Sequence, residues 1–171
     1  MSNSNLPDRA SLEYLRKRAK ERRLNLRETD PHAKLAAALL SVAREHGFPS
    51  WRALKAEVER RETSGAAEFF AACRVGDVAA VTAMLKLSPE WITHADPTAH
   101  HRRWTGLHTA AKHRQADVAR LLLERGADPN AREAGDDTYP LHWAAAQGDV
   151  DIARMLLDAG GDVHGFGDAH D

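Results

Sequence analysis

Apolar residues recur at helical spacing along the first third of the chain. In LEYLRKRAKERRLNL, Leu12, Leu15, Ala19 and Leu24 fall on one stripe and the other faces carry lysine and arginine, which predicts a helix capped by Asp8 or Ser11. Asp30 and Pro31 then read as an N-cap and a first-turn proline, opening a second helix with Leu35, Leu39, Val42 and Ala43 on its apolar face. Gly47 suits a left-handed helix exit, Ser50 the next N-cap, and Leu54 and Val58 continue a third helix from Trp51 to about Glu62. These elements predict a three-helix unit over 10–62 behind a flexible stretch 1–9.

Beyond residue 62 the period changes from single helices to a repeat. TGLHTAAKHRQADVARLLLERGADPN at 105–130 aligns with YPLHWAAAQGDVDIARMLLDAGGDVH at 139–164 at an offset of 34 residues. Leu107 meets Leu141, His108 meets His142, Ala110 meets Ala144, Leu122 meets Leu156 and Gly126 meets Gly160. A degenerate copy, FFAACRVGDVAAVTAML at 69–85, aligns at an offset of 38, with Phe69 in the leucine slot, Phe70 in the histidine slot and Gly76 matching Gly148. The small alanines, among them Ala110, Ala111, Ala144 and Ala145, let first helices stack closely, and Gly126 and Gly160 permit a left-handed exit from the second.

This arrangement resembles ankyrin repeats, on GLHTAA and PLHWAA for the first helix and VARLLLERGADPN and IARMLLDAGGDV for the second helix and its exit. Four departures stand out. Gly106 replaces the usual proline, Tyr139 the capping threonine, Arg114 the inter-helix glycine, and the first copy lacks the histidine. The resemblance implies an all-α fold: a solenoid of helix-turn-helix repeats with hairpin loops, spanning 66–171 as copies at 66–98, 104–137 and 138–171. SLEYLRKRAKERR with AREHGFPSWRALKAEV in turn resembles a helical segment that precedes ankyrin repeats in some bacterial proteins. It is expected to cap the first copy, since about three stacked repeats with covered ends are needed for stability.

Charge modifies this picture little. The 171 residues carry a formal charge of -1, but residues 1–62 hold 14 Lys/Arg and 9 Asp/Glu, so a basic segment precedes an acidic one. A helix-turn-helix nucleic-acid reader using Lys17, Arg18, Arg22 and Arg23 is therefore the alternative reading; solvated basic faces are the simpler one. With one cysteine, Cys73, no apolar leader and LAAALL as the longest apolar run, a cytoplasmic protein with no membrane segment is expected.

No phosphate loop, nucleophilic triad or paired metal motif is present in the sequence, so no enzyme, cofactor or resident metal is expected; an ankyrin portion of a larger enzyme is a further class. His94, Asp96, His100 and His101 have metal-ligand chemistry, but Pro97 and loop context do not fix a tetrahedron. His108 and His142 are expected to order the hairpin and helix start by hydrogen bonding. By the resemblance, a protein or peptide partner binds the concave face. On this sequence that face holds Arg102, Arg103 and Trp104 from one hairpin and Arg132, Glu133, Asp136 and Asp137 from the next, with Lys112, His113, Ala146 and Gln147 from the first helices. Arginines on one hairpin and acids on the other imply a partner with a charge gradient. The last copy lacks a cover in the sequence, so faces bearing Ile152, Met155 and Leu156 are expected to be partly exposed, with a longer array or self-association as consequences.

Overall fold

The computed structural model describes residues 6–7, 11–98, 103–134 and 137–163. Their order is α1 (Leu12–Thr29), α2 (Leu35–Glu45), α3 (Trp51–Val75), α4 (Val78–Leu87), a 3-10 turn (Pro89–Ile92), α5 (Gly106–Lys112), α6 (Ala116–Glu124), α7 (Pro140–Ala146) and α8 (Val150–Asp158). Every regular element among the described residues is helical, as the repeat reading requires. The chain divides into two compact units, Met1–Thr63 and Ser64–Asp171.

In the first unit, Ser11 caps α1 by accepting the Tyr14 N–H at 3.2 Å. Leu15, Ala19, Val42, Ala43, Leu54 and Val58 form its core. Leu6, within the stretch expected to be flexible, is buried with them, and its carbonyl accepts from Arg61 Nη1 at 3.4 Å. Gly47 takes φ +82° and Ser50 accepts the Ala53 N–H. Asp30 and Pro31, in contrast, do not open α2. Asp30 closes α1 through its N–H to the Leu26 carbonyl, and its carboxylate accepts from the His32 N–H in a local turn, so α2 starts at Leu35 behind an uncapped Lys34.

The third helix does not stop near Glu62. It runs unbroken to Val75, because ETSGAAEFF contains no proline and a lone Gly65 costs a helix only about 1 kcal/mol. Its last turns are the first helix of the degenerate copy, and α4 is the second.

The second unit is three helix pairs around one core of Phe69, Phe70, Val81, Leu85, Leu107, Ala110, Ala111, Val118, Leu122, Ile152 and Leu156. First helix lies beside first helix (α5 on α7) and second beside second (α4 on α6, α6 on α8). Gly126 and Gly160 have φ +87° and +90°, with open space where a Cβ would stand, so backbone conformation and not crowding calls for glycine there. Gly106 is the reverse case. A Cβ on it would lie 3.1 Å from Phe69 and 3.3 Å from Leu122, so the bulkier Phe69 in a leucine slot accounts for the missing proline. Arg114 holds the inter-helix position at φ +57°, where Gly76 and Gly148 have +83° and +65°.

Two expectations about the last copy are corrected. Ile152 and Leu156 are fully buried, since α8 turns them inward against α6 and α7. What it leaves exposed is Val150 and Leu157, while Ala145, expected in the stacking face, is exposed because no helix follows on that side among the described residues. The terminal stretch 164–171 lies outside the described residues, and no described helix is long and apolar enough to cross a membrane.

Candidate functional site

The two hairpins of the repeat unit and the ends of its first helices carry the residues singled out from sequence. His108 is fully buried. Its Nδ1 accepts the Thr105 N–H at 3.2 Å and its Nε2 lies 3.3 Å from the Thr138 carbonyl of the next hairpin. Burial pushes its pKa down, against the Thr138 bond and the nearby Glu133 carboxylate. His142 repeats the first bond, accepting the Tyr139 N–H at 2.9 Å, and the Tyr139 ring stacks on it at 5.5 Å. That stacking gives the tyrosine in the threonine position a packing role of its own.

The hairpin base at 94–104 is closed from within. Asp96 is buried; its N–H donates to the Trp104 carbonyl at 2.7 Å, its Oδ1 accepts from both the Thr98 N–H and hydroxyl, and Arg74 lies 3.7 Å from Oδ2. His94 stacks on Trp91 with its Nδ1 3.3 Å from the Glu90 carbonyl. His100 and His101 lie outside the described residues. Among the described residues no three His, Cys, Asp or Glu side chains are placed to hold a metal ion. Cys73 is buried, and desolvation pushes its thiol up to about 12, which leaves it protonated and unreactive at neutral pH.

Trp104 and Glu133 do not stand on the surface. Trp104 is 8% exposed and Glu133 1%, and the Trp104 indole N–H donates to the Glu133 carboxylate. The Trp104 ring meets Trp143 edge-on with centroids 5.0 Å apart, and the Lys112 ammonium lies over both rings, 4.2 and 4.7 Å from their centroids. Burying so large an aromatic side chain is worth more than presenting it to water, which is why an arginine-tryptophan tip read from sequence becomes a tryptophan base.

The other described candidates are at least partly accessible. Arg103, Arg132, Asp137 and Gln147 are exposed and Lys112 and His113 half-buried, whereas Arg102 and Asp136 lie outside the described residues. Arg132 pairs with Asp137 at 2.8 Å. With Glu133 buried and Asp137 paired, the described part of the second hairpin does not present the acidic surface expected of it. The pKa of His113 is lowered by partial desolvation and then by the charges of Arg74 and Lys112.

Three contributors escaped the sequence reading. Thr138 receives His108 through its backbone, for which side-chain identity gives no signal. Trp143, half-buried on α7, packs on Trp104 from 39 positions away in the chain, a pairing to which neither local motif points. Asn130 bridges turns 30 and 32 residues away, donating to the Gly160 carbonyl at 2.9 Å and accepting the Asp162 N–H at 2.7 Å; its place one residue after Asp128-Pro129, at the foot of a hairpin, was the available clue.

A family model described as Ankyrin repeats (3 copies) matches residues 68–166, more than half of the chain. The chain belongs to the ankyrin-repeat family. Ankyrin repeats generally mediate protein–protein interaction. A second model, described as Glyoxalase superfamily protein, matches residues 2–78. Over that span the described elements are α1, α2 and α3, and Arg18 and Arg22, two of the four cations considered for nucleic acid, are engaged by Glu45 at 2.6 and 3.1 Å. No curated protein matches the chain.

Proposed function

We propose that this ankyrin protein is a non-enzymatic binding scaffold that presents the hairpins and first-helix ends of its repeats to a protein or peptide partner. The observation that carries the reading is a division of labour within each helix pair. The second helices turn Val118, Leu122, Ile152 and Leu156 into the core, while the ends of α5 and α7 leave Lys112, His113 and Gln147 at least partly accessible beside Arg103 and Arg132. Polar side chains there are held on a scaffold closed by backbone and histidine hydrogen bonds, so little conformational entropy remains to be lost on binding.

The test is affinity capture from cells that express the protein, comparing the full chain with an Arg103→Glu/Arg132→Glu/Gln147→Ala variant and an Arg120→Glu control on α6, after circular dichroism establishes equal folding. A partner held by the wild type and the control and lost from the triple variant is the expected result. Equal retention by all three places the interface elsewhere and overturns the reading.

A further inference from the structure

Trp104 and Trp143 come from different elements, the base of one hairpin and the next first helix, yet their rings meet at 63° and leave faces that a cation already occupies. Lys112, the last residue of α5, lies over both. Behind them is Glu133, whose second oxygen, Oε1, is buried without a hydrogen-bond partner among the described residues. The Trp143 indole N–H is buried in the same condition. A carboxylate that accepts the Trp104 N–H draws positive charge from the ring edge and deepens the negative potential over its face, the property that attracts cations to indoles.

Lys112 fits this setting only in part. Its ammonium is compact and strongly hydrated, with no planar surface to lay on an indole, and the residue is half-exposed, so it can return to water by rotation of its own stem. A guanidinium is planar and weakly hydrated, stacks on aromatic faces and offers five donors.

We propose that the Trp104–Trp143 pair, backed by Glu133, is the receptor for an arginine side chain of the protein partner, and that Lys112 is its displaceable internal occupant. The proposal rests on the scaffold reading and gives it a ligand chemistry. It also changes the role of Lys112, which competes with the partner and does not contact it.

The experiment follows the indole N–H signals of the full chain by nuclear magnetic resonance, with Trp51 and Trp91 as internal references. The probes are acetyl-Gly-Arg-Gly-amide and the same peptide with uncharged citrulline. The arginine peptide is expected to move the Trp104 and Trp143 signals to saturation while citrulline does not. Lys112→Gln, or Lys112→Met where glutamine perturbs folding, is expected to bind about threefold tighter or more, since removing the occupant frees a cation–π contact. Equal shifts with citrulline, weaker binding by the Lys112 variants, or no shift in them at roughly 10 mM peptide overturns the proposal. A partner captured through this surface while the rings ignore arginine removes the receptor and keeps the scaffold; arginine recognition with no partner captured does the opposite.

Discussion

The middle and last repeats carry the same motif, yet their equivalent residues live in different surroundings. His108 is fully buried and reaches the following hairpin through Thr138; His142 makes the local bond to Tyr139 and stays exposed. Ala111 is fully buried and Ala145 exposed. Leu122 and Leu156, in contrast, are equally buried. The difference separates two kinds of information in a repeat. What a second helix buries is set by its own pair and the one before it, whereas the first-helix face is completed by the repeat that follows.

The largest test of this comparison is cavity formation. Leu122→Ala and Leu156→Ala should each cost about 2–5 kcal/mol, in similar amounts, because each is fully buried by its own pair and the one before it. Urea unfolding measures both, and a markedly smaller loss at either would break the comparison. Next comes the aligned pair Gly106 and Pro140. Gly106→Pro restores the usual family residue but drives it into Phe69 and Leu122, so a loss of roughly 2 kcal/mol is expected, whereas Pro140→Gly should cost about 1 kcal/mol through chain entropy.

The histidines sharpen the comparison further. His108→Ala should cost about 2 kcal/mol and His142→Ala about 1 kcal/mol, because only the first also opens a buried site and strips a partner from Thr138. The pKa of His108 is depressed from the ordinary 6.5, so the unfolded chain binds more protons there than the folded one. Its contribution to stability is present above pH 6.5 and is lost as pH falls through the folded pKa. Thermal unfolding across this range should show that loss in the wild type and less of it in His108→Gln. The smallest effect is a gain: Arg114→Gly relieves a left-handed arginine and should stabilise by about 1 kcal/mol, while Gly148→Arg should lose a similar amount.

Local rules read well from the sequence wherever one residue suffices. Ser11, Gly47, Ser50, Gly126 and Gly160 stand in the roles their chemistry predicts, and the repeat register located the core through Leu107 and Leu122, although it left Leu156 to a face expected to be partly exposed. Competition between neighbouring roles was not legible. Asp30 serves the end of α1 and so cannot open α2, and Gly65 was too weak a signal to show whether α3 breaks. At the candidate site the positions were legible but their burial was not. Trp104 and Glu133 lie 29 residues apart, and nothing within either hairpin reveals that each supplies what the other needs.

The central claim is that the hairpin and first-helix side of the repeats is the working surface. Its most direct test places the photocrosslinking residue p-benzoylphenylalanine at His113 in one full-length protein and at Arg120 in another, and irradiates cells that express each. The account predicts a covalent adduct with one protein partner from position 113 and none from 120. An adduct formed from 120 and absent from 113 would place binding on the second-helix side and contradict the account.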